Sequence, residues 1–245
     1  YKMKKIIPII IDNLKTLLFA LIIAVLIRSL FFQPFYIPSS SMEPTLLIGD
    51  RIFVNKYKYG YSKHSFPFSP NFSDKRFFYK TPQRGDLVVF KTPADNRTDY
   101  IKRLIGLPGD EIQFINGNLF INGEEIIRKK IEIIEPIRCG NFILKTNSFI
   151  ETLPNGVNHL VSYNSEGTFQ NSKKYIVPIG HYFLMGDNRD CSKDSRFSDV
   201  GYVKNLNLLG KAKVIFFSND TKKSRLLKFW NLHNSFRLER TFKGL

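Results

Sequence analysis

A mainly β, antiparallel domain carried by one N-terminal transmembrane helix is the fold class this 245-residue sequence predicts. Three observations predict it. Leu17 to Ile27 is an uninterrupted apolar run near the amino end. Beyond it, short β-branched and aromatic runs alternate with turns containing Gly, Pro, Asn or Asp. Between residues 40 and 210, stretches with helical periodicity are scarce.

The apolar run with its flanks, residues 14–32, is about as long as a helix needs to cross roughly 30 Å of hydrocarbon. Arg28 interrupts it near one end, where a long side chain can snorkel toward headgroups. Pro8 and Asp12 make the preceding stretch a weaker membrane helix. A cleavable signal peptide is the rival reading, because Lys2, Lys4 and Lys5 precede the apolar run. The hydrophobic region is long, however, and no Ala-x-Ala-like site follows promptly, so a retained anchor is favoured over it and over a buried helix of a soluble protein. Lys2, Lys4, Lys5 and Lys15 against Arg28 place the amino terminus in the cytoplasm by the positive-inside rule. Arg51, Lys56 and Lys58 blur that count. No later segment is long and apolar enough to cross, so one anchor is expected. Met3 is a candidate initiator.

The body follows strand by strand. Residues 51–55, 86–90, 112–115, 119–121 and 213–217 are strand-sized. Asn116-Gly117 sits between two of them as a hairpin turn, since both residue types tolerate positive φ, and Asn122-Gly123 fits a second tight turn. Residues 56–82 mix Tyr and Phe with Lys, Ser and Pro and read as an extended loop or irregular ribbon near the membrane. The expected organisation is a cytoplasmic N-terminus (1–13), an anchor (14–32), a β domain (33–220) with an inserted β region at 131–174, and a basic tail (221–245). The tail reads as an amphipathic helix on anionic lipid or as a disordered, solubilising segment.

The net charge of +16 alone would invite nucleic acid or acidic phospholipid. No zinc-finger spacing or glycine-aromatic RNA-binding signature is present, and the apolar segment fixes the chain beside lipid, so an anionic phospholipid membrane is the expected partner and nucleic acid is not. The four histidines, at 64, 159, 181 and 233, have no metal-ligand spacing, and no metal site is expected. Cys139 and Cys191 permit at most one disulfide, which spacing does not decide.

Three segments carry the chemistry. Pro38-Ser39-Ser40-Ser41-Met42-Glu43-Pro44-Thr45-Leu46 puts hydroxyls just past the membrane segment. Asp99-Tyr100-Ile101-Lys102-Arg103 runs into Gly106-Leu107-Pro108-Gly109-Asp110. Gly186-Asp187-Asn188-Arg189-Asp190 continues to Arg196. Serine needs a base, and no Gly-x-Ser-x-Gly elbow or signature-borne histidine supplies one. A lysine can serve if burial lowers its pKa, and Lys102 has apolar neighbours in Tyr100, Ile101, Leu104 and Ile105. On composition alone, Lys102 reads rather as a solvated cation of a Lys-Arg pair, and the three serines as a linker in which none stands out.

Together these segments closely resemble the signatures of bacterial type I signal peptidases, membrane-bound serine/lysine endopeptidases whose β fold is shared with self-cleaving repressors. Arg84-Gly85-Asp86-Leu87-Val88-Val89-Phe90 matches a further family segment, chiefly a structural strand. The resemblance implies Ser41 as nucleophile, Lys102 as general base, and Ser39 with the Ser41 N–H as oxyanion donors. It also implies Ser192 as orienter of the lysine amine, Asp194 and Arg196 as a structural ion pair, and Asp187 as support. Ser40 replaces the family's usual glycine, and Cys191 stands where Asn is common and reads as a passive polar replacement. Implied substrates are exported preproteins with Ala-x-Ala-like cleavage sites. No cofactor is implied, and a monomer in the bacterial inner membrane with its catalytic domain on the periplasmic side is expected. The competing readings are a noncatalytic membrane-tethered β protein and a Ser/Lys self-cleaving protease.

Overall fold

A computed structural model describes residues 2–132, 137–165, 168–220 and 236–245, with the backbone alone for residues 2–9. Helix α1, Lys2–Leu30, starts well before residue 14 and passes through Pro8, whose missing N–H removes one backbone bond near the helix start without ending it. Its Ile10–Leu30 portion has mean hydropathy 2.2, and residues 10–28 are exposed to whatever surrounds the chain. At 1.5 Å per residue that portion is about 32 Å long, enough to cross a bilayer core. Among the described residues it is the one helix long and apolar enough to do so.

The strands that follow are β1 (Phe32–Tyr36), β2 (Asp50–Asn55), β3 (Leu87–Lys91), β4 (Asp99–Gly106), β5 (Glu111–Ile115), β6 (Asn118–Ile121), β7 (Glu124–Glu125), β8 (Arg128–Ile131) and β9 (Arg138–Cys139). Then come β10 (Phe142–Ile143), β11 (Thr146–Thr152), β12 (Asn158–Asn164), β13 (Tyr175–Ile176), β14 (His181–Met185), β15 (Val203–Lys204), β16 (Leu208–Ser218) and β17 (Lys243–Gly244). The main sheet has the order β1-β2-β16-β3-β4-β14-β15, with β17 also on β16. Its paired strands are all antiparallel. Between β4 and β14 the chain forms a sheet of order β13-β5-β6-β7, a second of order β12-β11-β8, and the small β9–β10 pair. Mainly β with an N-terminal apolar helix is therefore the architecture. Helical turns between residues 40 and 210 are short 3-10 pieces at 63–65, 189–191 and 205–207.

The β5–β6 hairpin turns where the sequence places it. Asn116 and Gly117 both take positive φ, 50° and 77°, the geometry of a type I′ turn that matches strand twist. Three apolar clusters form the core. The one built on Met42, Leu46, Ile52, Val54, Val89 and Ile215 matters most for function, because it anchors the turn after β1 to the sheet.

Of the expected basic tail, residues 221–235 lie outside the described residues, and 236–245 return to the sheet. β17 pairs with β16, the Leu245 N–H bonds the Lys213 carbonyl at 3.0 Å, and Arg240 is buried against Asp50, Nη2 to Oδ2 2.7 Å. A buried carboxylate waiting for a cation 190 residues away leaves no trace in local sequence.

Candidate active site

Ser41 lies in the turn between β1 and β2. Met42 and Leu46 are fully buried, so the hydrophobic effect fixes the segment while Ser39 and Ser41 stay at the edge. Backbone bonds from Glu43 N to Ser40 O (3.0 Å) and Leu46 N to Met42 O (2.9 Å) shape it. Ser40 keeps a negative φ, so a side chain in place of glycine is unstrained there.

Lys102 stands mid-strand in β4, between β3 and β14 in the main sheet, and only 4% of it is exposed. Its Nζ is hydrogen-bonded to Ser41 Oγ at 2.6 Å. Burial pushes the Lys102 amine down to about 8, overcoming the opposing pull of Asp194 and Asp187. Ser39 Oγ lies 3.4 Å from Ser41 Oγ. No imidazole bonds Ser41 among the described residues, and its own N–H has no acceptor there.

The third segment closes over this pair. Asn188 donates from its backbone to Ser41 O (3.2 Å) and from Nδ2 to Ser40 O (3.1 Å). Asp187 is gripped by Arg103 through two bonds of 2.8 and 2.6 Å and accepts from Thr45 at 2.5 Å. Although burial alone would raise its carboxyl, those partners hold it far below the usual range. Asp194 pairs with Arg196 (2.8 and 2.9 Å) and accepts the Gly186 N–H at 2.9 Å. The structure thus brings Ser39, Ser41 and Lys102 together and sets Asp187, Asp194 and Arg196 in buried pairs behind them.

Ser192 sits at the edge of this group. Its Oγ is buried beside Gly186 but has no hydrogen-bond partner among the described residues, whereas the Lys102 amine is bonded to Ser41. A side chain at Gly186 would run into Ser192 and meet the Ser41 carbonyl oxygen at 2.5 Å. Gly186→Ala is therefore expected to displace the Ser41 backbone and lower kcat roughly a hundredfold, the cost of an ångström-scale misplacement, while the chain stays folded. Single-turnover kinetics alongside a thermal melt check this.

Cys191 is no passive polar replacement, because it forms a disulfide with Cys139, Cα to Cα 5.4 Å. Two more contacts join the same segments. The Arg138 N–H donates to Glu43 at 2.7 Å, and Asn188 Nδ2 donates to Arg138 O at 2.7 Å. Residues 138–141 are thereby tied to both the Ser41 turn and the 186–196 segment. A cavity of about 790 Å³ opens at this junction, lined by Ser39, Ser41 and Lys102, by apolar Ile37, Ile52, Val89 and Ile101, and by Gly140 and Cys191. The end of β1, Phe35 and Tyr36, runs into it.

Sequence reading missed a second buried ionic group. Arg189, 1% exposed, makes bonds of 2.8 and 2.5 Å to Glu151 and one of 2.7 Å to the Tyr163 hydroxyl. His159 lies 3.5 Å from both Glu151 and Asp187, linking this group to the Arg103–Asp187 pair. Burial pushes the His159 imidazole down, against the pull of the two carboxylates. Glu151 and His159 face each other across β11 and β12, a pairing fixed by strand register rather than by nearness in sequence.

A hydroxyl held against a buried, neutralisable amine with a free N–H beside it has the parts for acyl transfer by a serine nucleophile. The family described as signal peptidase, peptidase S26, matches residues 10–217. Signal peptidase I of Rickettsia typhi is 42% identical over 246 residues, covering 93% of this chain and 90% of that protein. Signal peptidase I of Rickettsia conorii is 41% identical over 251 residues with the same coverage. A crystal structure of a signal peptidase I from Enterococcus faecalis shares 28% identity over 54% of this chain and 97% of that one, with a TM-score of 0.33. The chain belongs to the S26 signal peptidase family.

Proposed function

We propose that this chain is a membrane-anchored endopeptidase that removes N-terminal signal peptides from exported preproteins, with Ser41 as nucleophile and Lys102 as general base. The observation that carries the reading is the 2.6 Å hydrogen bond between the Lys102 amine and the Ser41 hydroxyl, made where that amine is 4% exposed. The neutral amine takes the Ser41 proton as Oγ attacks the scissile carbonyl. The tetrahedral oxyanion is held by the Ser41 N–H and the Ser39 hydroxyl, each such donor being worth roughly 3 kcal/mol in the transition state. The resulting ammonium gives its proton to the leaving amine, and Lys102, neutral again, deprotonates the water that hydrolyses the acyl-enzyme.

The buried pairs Arg103–Asp187 and Arg196–Asp194 position the segment around the dyad and touch no reacting atom. The apolar cavity beside Ser41 suits small side chains of an extended Ala-x-Ala segment, which would lie along the neighbouring strand backbone. With α1 in the inner membrane and its lysine-rich start in the cytoplasm, the dyad works close to the outer membrane surface, where the end of a signal peptide emerges.

The test is cleavage of a preprotein bearing an Ala-x-Ala site by the purified protein in detergent and phospholipid. The parent should cut after the second Ala and Ser41→Ala should not, with unchanged thermal melts. A folded parent that fails to cut, or Ser41→Ala that cuts as fast, would support the noncatalytic reading or a different nucleophile.

A further inference from the structure

A second cavity, of about 660 Å³, lies at the end of α1 and shares only Asp99 with the lining of the cavity that holds Ser41 and Lys102. Arg28 and Ser29 of the last helical turn line it together with Lys56, Lys63, Lys91 and Arg97. Two acids also line it, and both are already engaged. Asp99 pairs with Lys91 at 2.8 Å, and Asp95 accepts from Thr92, Thr98 and the Arg97 N–H. Lys63 is taken by Asp74 at 2.8 Å. Arg28, Lys56 and Arg97 are left with no carboxylate among the described residues.

Lys56 is 2% exposed, and among the described residues its amine bonds only the Ser65 carbonyl, at 2.6 Å. Burying an ammonium without a counter-charge is costly unless an anion completes the site. Burial first, then the nearby Arg28, push the Lys56 amine down to about 8 against the pull of Asp99, which is already paired with Lys91. Ser29 adds a second open valence, because its hydroxyl is 3% exposed and bonds nothing among the described residues. Three unpaired cations and a spare hydroxyl donor around one cavity match a phosphate oxyanion.

The location selects the source of that phosphate. The end of α1 is the depth at which lipid headgroups lie. Phe66, Pro67 and Phe68 line the same cavity, and Phe68 is fully exposed, an arrangement suited to the boundary between headgroup and acyl chain. We propose that this cavity binds the phosphate of an anionic membrane phospholipid and so fixes how the β domain sits on the bilayer at the exit of α1. The site stands apart from the peptidase chemistry, and its test reads binding rather than cleavage.

The test is a thermal-shift titration of the full-length protein in neutral detergent with dihexanoylphosphatidylglycerol, and separately with inorganic phosphate at equal concentration. Arg28 and Arg97 are exposed, so the double variant Arg28→Gln/Arg97→Gln is expected to fold, which its unliganded melt and its preprotein cleavage in detergent verify. The parent should show a saturable rise in Tm with the lipid and none with phosphate, and the double variant should bind the lipid roughly thirtyfold more weakly. A lipid shift that never saturates, equal affinity in parent and double variant, or phosphate matching the lipid would each overturn the proposal, the last in favour of a free-anion site.

Discussion

Lys102→Met is expected to abolish preprotein cleavage and at the same time to make the fold more stable. The first effect follows from losing the base, and for a nucleophile–base unit it is roughly ten-thousandfold or larger. The second follows from burial. An amine that titrates at 10.5 when solvated and about 8 in the fold is bound to its proton more weakly by the folded state than by the unfolded chain. At pH 7 that difference costs the parent on the order of 3 kcal/mol, which an apolar side chain of similar length avoids. The sign is set by the unfolded chain binding more protons between the two values, so parental stability rises across that window. The advantage of Lys102→Met should therefore be largest below about pH 8 and vanish above about pH 10.5. Chemical denaturation of both proteins at several pH values reads this directly. A variant less stable than its parent at neutral pH would mean that Lys102 is not a desolvated amine.

Glu151→Ala is expected to destabilise the fold by about 3–5 kcal/mol, because it strands Arg189 as an uncompensated charge at 1% exposure. Tyr163 and His159 lose a partner in the same step. For a domain of this size the melting temperature should fall by about 6–20 °C. The double variant Glu151→Met/Arg189→Met should recover much of that loss, since removing both charges removes the desolvation penalty together with the attraction. If the double variant were as unstable as Glu151→Ala, packing rather than ionic pairing would hold β11 against the 189–191 turn.

The segments that carry Ser41 and Lys102 were legible because each is a contiguous run, 38–46 and 99–110. Which serine attacks, and Lys102 as base, came only from the family resemblance, since by residues alone the three serines are alike and Lys102 reads as a solvated cation. The Asn116-Gly117 hairpin was legible for the same reason, since the turn residues carry their φ preference with them. What escaped the sequence is made by distant pairing. Glu151 meets His159 through the β11–β12 register, Cys139 meets Cys191 across a separation of 52 residues, and Arg240 finds Asp50 only once the chain end is docked. Lys56 is the sharpest case. In the sequence it is one cation among aromatics and prolines, and in the fold it is buried beside the exit of the membrane helix.

The most direct measurement is the pH dependence of kcat/KM for an Ala-x-Ala preprotein, from about pH 5 to about pH 10. Because only the neutral amine can accept the Ser41 proton, activity should rise about tenfold per pH unit on the acid side and level off near pH 8, the value to which burial brings Lys102. A rising limb centred near the imidazole value of about 6.5, or a profile flat across the range, would contradict Lys102 as the base.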